Sequence, residues 1–207
     1  MQGGSSTSEQ VVRPTMKERQ RQFREEAILD AALVLLKTKG YDAMTLEDIT
    51  EAIGISRPTL YLHFRSKEDV VMHLSFRCRR DLFEFITNQD RSKPASERLI
   101  AFCDFALDMR FGSQALAFGD MMKVISSMAN PDPELTELEN RLMDAYVALA
   151  VEAQAEGNVR RDISALAMSQ VIVGLIKNYA FDALIESGKI SIDEIKDCAR
   201  KLMLPPG

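Results

Sequence analysis

Cysteine and histidine are both scarce in this 207-residue chain. Cys78, Cys103 and Cys198 are odd in number, far apart and outside any CxxC pair, which argues against a disulfide framework or a cysteine zinc site and fits a reducing cytosol. The two histidines, His63 and His73, stand in poor helical register for a shared metal, and no metal or other cofactor is expected. Common enzyme signatures are also missing: there is no GxSxG elbow, no GxGxxG or GxxxxGK[ST] phosphate loop and no HExxH. An enzyme is therefore not the expected class. The start, MQGGSSTSEQ, has neither the basic beginning nor the apolar core of a secretory signal. It reads as a flexible tail over residues 1–17, and a cytoplasmic protein is expected.

Glycine (10) and proline (7) are few, and alternating β-branched runs are rare. What fills the chain instead is Ala, Leu, Met, Glu, Lys and Arg, the good helix formers, in a composition 46% hydrophobic and 28% charged. An all-α globular fold of about nine helices is expected. The net charge of −5 argues against a nucleic-acid partner until its distribution is considered. Residues 1–80 hold 13 Lys+Arg against 11 Asp+Glu, while the remainder holds 13 against 20. A mildly basic amino-terminal part is carried by an acidic carboxy-terminal one.

Apolar residues from Phe23 to Leu35 recur at helical spacing, and Gly40 supplies a stop, which places a first helix over about 18–38. TLEDITEAIG predicts a second, two-turn helix, with Thr45 and Asp48 as a capping box and Gly54 as its end. Ser56 caps a third, running to about Phe64, and Ser66 with Asp69 begins a fourth that reaches Phe85 or beyond. Longer helices are expected at about 94–110, 113–129, 133–156, 163–187 and 191–203. The segment ISALAMSQVIVGLIKNYAF is apolar on nearly every side and must be covered, either inside one chain or by a second copy. Its polar interruptions, Ser169, Gln170, Lys177 and Asn178 among them, make a membrane span a poor alternative.

The third helix carries the most informative face. At 100° per residue Leu60 and Phe64 fall together toward the core, while Pro58, Thr59 and Leu62 point away, flanked by Tyr61 and His63. A face of Thr, Leu, Tyr and His is neither a charged solvent face nor an ordinary core. It suits the DNA major groove, where threonine bonds base or phosphate, leucine meets a thymine methyl, and Tyr61 and His63 reach flanking phosphates. Arg57 falls near the core side of the wheel, yet in a first turn its long side chain is free to swing into the groove. Thr45 and Lys67 each sit at a helix N-terminus, a position that favours phosphate oxygen. Arg13, Lys17, Arg19, Arg21 and Arg24 either add backbone or minor-groove contacts or, with Glu18, Glu25 and Glu26 among them, form a solvated face.

On these residues the stretch TLEDITEAIGISRPTLYLHFRSKEDVV resembles the DNA-binding signature of the TetR family of bacterial transcriptional regulators, over roughly residues 20–72. Thr45, Arg57, Pro58, Thr59, Tyr61, His63 and Lys67 match the family's DNA-contacting positions. Thr50 stands where the family has a small alanine, and Pro58 where glycine or alanine is commoner. The resemblance implies a homodimer on a palindromic operator of double-stranded DNA, usually as a repressor, released by a small-molecule effector. It places a helix-turn-helix domain at 18–66 and an effector-binding and dimerisation domain at 67–207. The subunit contact is expected through the helices at 163–187 and 191–203. A cavity for an apolar or aromatic effector would draw on Phe105, Met109, Phe118, Met122, Met143, Tyr146 and Tyr179, residues that serve equally as plain core. Asp104, Asp108 and Asp120 either meet a cation or lie on the surface. The alternative function is a DNA-binding adaptor controlled by protein contacts.

Overall fold

A computed structural model describes residues 15–112, 115–128 and 132–205. The described residues form ten helices and no strand. Helix α1 (Met16–Ala43) starts in a capping box, Thr15 Oγ1 accepting from the Glu18 amide while Glu18 accepts from the Thr15 amide. Gly40, at φ +74°, breaks it where the stop was expected, and one further turn carries the chain to Met44. Helix α2 (Leu46–Ile53) is boxed by Thr45 and Asp48 and closed by Gly54 in the left-handed conformation. Helix α3 (Arg57–Tyr61) has five residues, fewer than its sequence promised. Helix α4 (Lys67–Thr87) follows from the Ser66 cap.

The remaining elements are α5 (Ala95–Phe111), α6 (Ala115–Ser127), α7 (Pro133–Glu156), α8 (Ala165–Lys177), α9 (Ala180–Glu186) and α10 (Ile192–Met203). Caps at Asp132, Ser164 and the Ser191–Glu194 box define three of their starts. The tail expected at 1–17 lies outside the described residues up to 14, as do both ends of the helix expected at 113–129.

One expected helix is two. The run 163–187 breaks at Asn178, whose backbone is extended and whose side-chain oxygen accepts the Ala180 amide. The carbonyl of Ile176, freed by that break, is taken by Arg110 Nε at 3.0 Å. Both guanidinium arms of Arg110 then meet Asp182 at 2.8 Å, so a wholly buried arginine staples α5 across the α8–α9 corner.

Two hydrophobic clusters divide the molecule. The first gathers Ile28, Ala32 and Leu36 of α1, Ile49 of α2, Leu60 and Phe64, and Val70, Val71 and Leu74 of α4. Ala117, Met121 and Val124 of α6 complete it from much later in the chain. The second contains Ile86 and residues of α5, α7, α8 and α10, including Leu99, Phe102, Leu149, Met168, Ile172 and Ile195. Helix α4 runs from one cluster into the other. Of the apolar 163–181 stretch, Ala165, Met168, Ser169 and Ile172 are buried while Leu166 and Val171 are more than half exposed. No described helix is long and apolar enough to cross a membrane.

Candidate nucleic-acid interface

Helix α3 stands on the first cluster by Leu60 and Phe64, which are 0% and 1% exposed, on the side the wheel assigned to the core. Ser56 fixes its entry: the hydroxyl accepts the Thr59 amide and lies 2.8 Å from the Thr59 hydroxyl. Pro58 occupies the first turn, where a missing N–H costs nothing. Above this anchor Tyr61 is 48% exposed and Leu62 76% exposed, with Arg57 and Pro58 beside them. Arg57 does not lie against the core. Its guanidinium reaches Glu47 of α2 at 2.5 Å, which holds the side chain over the helix-turn-helix while leaving it 56% exposed.

Two expected contact residues are placed otherwise. The His63 side chain is only 6% exposed and turns inward, its Nδ1 3.1 Å from Glu25 of α1. The wheel set His63 at the margin of the outward face, next to the core side, and α1 supplies Glu25 within reach of the ring there. Burial pushes the Glu25 carboxyl up, but Arg21 and His63 more than offset this and hold it below the usual range. Lys67 is likewise occupied. Its ammonium donates to the carbonyls of Tyr41 (2.8 Å) and Met44 (3.1 Å) and lies 4.1 Å over the Tyr41 ring. Free carbonyls and the negative dipole end of α1 compete there for the cation with any phosphate.

Thr45 is exposed and holds α2 through the Asp48 amide. Asp48 in turn bonds Lys39 at 2.6 Å, and that bond together with the Thr45 amide depresses its carboxyl to about 2. Lys17, Arg19, Arg21 and Arg24 all lie on the exposed face of α1, Arg21 paired with Glu25 at 2.8 Å. Glu47 escaped the sequence reading, and Glu25 entered it only as one acid of a solvated face and not as the partner of His63; its i, i+4 spacing from Arg21 was the local signal.

Between the clusters lies a cavity of about 100 Å³ walled by α4, α5, α6, α7 and α8. Phe118, Met122, Met143 and Tyr146 line it, as do Cys78, Arg79, Phe102, Cys103 and Ile172, which the sequence had not singled out. Phe105, Met109 and Tyr179 are not on its wall. Phe105 stacks instead on Phe85 of α4 at 4.2 Å, and Tyr179 is 40% exposed at the α8–α9 break. The three aspartates considered for a cation are engaged: Asp104 with Arg200, Asp108 with Lys196, and Asp120 with the Tyr41 amide.

Residues 28–74 match the profile of bacterial regulatory proteins of the tetR family, a span that includes α2, α3 and the first turns of α4. The chain is 34% identical over 87 residues to the biofilm operon icaADBC HTH-type negative transcriptional regulator IcaR of Staphylococcus aureus, a match covering 41% of this chain and 46% of that one. It is 47% identical over 51 residues to the HTH-type transcriptional regulator EthR of Mycolicibacterium smegmatis, or 25% and 24% of the two chains. The chain thus spans less than half the length of the curated relatives it matches. The fold as a whole is similar to a transcriptional regulator from Saccharomonospora viridis solved with choline, at TM-score 0.69 and 19% identity over 88% of this chain and 98% of that one. It is also similar to the TetR family protein CprB of S. coelicolor, at TM-score 0.68 and 18% identity over 90% and 91%. Residues 28–74 thus carry the helix-turn-helix signature of the tetR family of bacterial regulatory proteins, and the described residues share the fold of a TetR family protein.

Proposed function

We propose that the protein is a ligand-responsive transcriptional repressor that binds a palindromic operator as a homodimer. The observation that carries this reading is the α3 face: Pro58, Tyr61 and Leu62 stand exposed on a helix whose opposite side is fully buried. An apolar, hydrogen-bonding surface held rigidly on a core is what base-edge recognition requires. In this reading Leu62, Thr59 and Arg57 face the bases, Tyr61 and Thr45 reach phosphates, and His63 and Lys67 position the helix rather than touch DNA. Residues 18–66 read the operator, and the rest of the chain binds the effector and pairs the subunits. Repression is supported by the likeness to IcaR, which is a negative regulator by name.

The exposed Leu166 and Val171 of α8, with Gly174 between neighbouring turns, are the center of the subunit contact. The outward face of α10 carries Asp193, Asp197 and Lys201 and supplies a polar rim. Two reading helices would then enter successive major grooves ~34 Å apart.

The effector occupies the cavity. Phe118 and Met122 line it from α6, while Ala117, Met121 and Val124 of the same helix pack inside the DNA-reading cluster. Asp120 between them accepts the Tyr41 amide at 2.6 Å, and Lys67 at the start of α4 holds the carbonyl of the same tyrosine. A ligand that displaces α6 or α4 therefore tilts α3, and a differential affinity of ~1–3 kcal/mol suffices for control.

The test is selection of bound fragments from the organism's own genomic DNA at moderate salt, followed by sequencing. A palindrome with half-sites about one turn apart is expected, bound at least tenfold more weakly by Tyr61→Ala. Enrichment of no sequence, or sequence-blind binding controlled by salt alone, would overturn the operator reading.

A further inference from the structure

The charged edge of the cavity constrains what can bind there. Arg79 of α4 is 8% exposed and lies on the cavity wall. A guanidinium carries five N–H donors. Here one arm meets the Ser75 carbonyl at 3.2 Å and the other only the Met122 thioether at 3.7 Å, a weak acceptor. Glu139 stands 3.8 Å from its Nε, beyond hydrogen-bond reach, and gives its 3.0 Å bond to Lys177. Burial pushes the Glu139 carboxyl up, but Arg79 and Lys177 more than offset this and keep it below the usual carboxylate range.

Glu139 is the one acid among the lining residues, and Arg79 and Lys177 share it. The remaining wall is apolar, with Leu82, Phe102, Ala106 and Ile172 facing in. A buried cation with unfilled donors beside an apolar chamber is a costly arrangement while the chamber is empty. A purely apolar ligand leaves that cost in place, a neutral acceptor offsets part of it, and a cation adds to it. An anion removes it.

We propose that the cavity takes an amphipathic organic anion: a carboxylate with an apolar acyl or aryl tail. Its head displaces the Met122 sulfur from Arg79 and shares Lys177 with Glu139, while the tail lies among the apolar walls. The volume of about 100 Å³ is on the scale that takes up a benzene-sized body, so the tail is of modest length. This assignment rests on the reading of the cavity as the effector site. It also places the head at the junction of α4 and α6, the two helices that carry residues of both the cavity and the DNA-reading cluster.

Isothermal titration of the full chain with pentanoate, 1-pentanol and pentylammonium tests it. Pentanoate is expected to bind at least tenfold more tightly than pentanol, with pentylammonium weakest. Arg79→Met removes the advantage of pentanoate while pentanol still binds. Lys177→Met, at a half-exposed position, reduces the advantage and serves if Arg79→Met does not fold. Equal affinity for pentanoate and pentanol, a preference for pentylammonium, or a pentanoate advantage that survives these substitutions overturns the anion assignment and leaves the effector site standing. Binding of none of the three probes overturns both.

Discussion

Replacing Asp182 by alanine should be among the most damaging single changes outside the apolar clusters. Arg110 is 0% exposed and has three good acceptors: the two Asp182 oxygens at 2.8 Å and the Ile176 carbonyl at 3.0 Å. The variant strands a cation that keeps only that carbonyl and the ring faces of Phe111, Phe118 and Tyr179, at 4.5, 5.6 and 5.9 Å. Removing one partner of a buried ion pair costs about 3–5 kcal/mol. Asp182 is 30% exposed and the rings offer partial compensation, so the lower end applies, about 3 kcal/mol. For a chain of this length that lowers the melting temperature by about 6–12 °C. Urea titration at fixed protein concentration measures it, the midpoint falling with the slope unchanged. In an Arg110→Met background the same substitution should cost under about 1 kcal/mol, because no buried charge remains to be stranded. A cost below about 1 kcal/mol in the wild-type background, or an equal cost in both, refutes the staple.

Val171→Glu places a charge in the middle of the exposed α8 face and should give a folded monomer, seen as a halved mass in light scattering; a dimer that persists places the subunit contact elsewhere. Asp48 has its carboxyl depressed to about 2 by Lys39 and Thr45, so the stability it contributes is full above its unfolded pKa of about 4 and is lost as pH falls through about 2. Asp48→Asn should therefore flatten the pH dependence of the melting temperature in that window and change nothing in its slope near neutrality. Burial raises the Cys78 thiol to about 11 and the Cys103 thiol to about 12, whereas Cys198 is exposed. Ellman's reagent at pH 8 should thus titrate Cys198 alone until denaturant is added.

Much of the helix-turn-helix could be read because its information is local. Thr45 with Asp48, Ser66 with Asp69, and Gly54 are cap signals whose partners lie within four residues, and each marks a real boundary. Leu60 and Phe64 share a face at the four-residue helical spacing, so their burial followed from the wheel alone. What the sequence could not show begins where a partner is remote. The Lys67 ammonium is captured by Tyr41 and Met44, and His63 by Glu25, through chain crossings that no periodicity records. The α8–α9 break depends on Asn178 locally but also on Arg110, from a different helix altogether. The cavity was half legible: Phe118, Met122, Met143 and Tyr146 face it, but which side of α5 faces in was decided by the Phe85–Phe105 stack.

The insertion of α6 into the first hydrophobic cluster also governs how freely this protein could be recombined with its relatives. Ala117, Met121 and Val124 fill a socket formed by α1 and α4, in a cluster to which α2 and α3 also contribute. A chimera that joins residues 1–66 to the remainder of a relative would present that socket to whatever side chains the new sixth helix happens to carry. Transplanting specificity therefore requires moving the plug with the socket, a discontinuous graft, and the interface between them is where two otherwise interchangeable halves would have to coevolve.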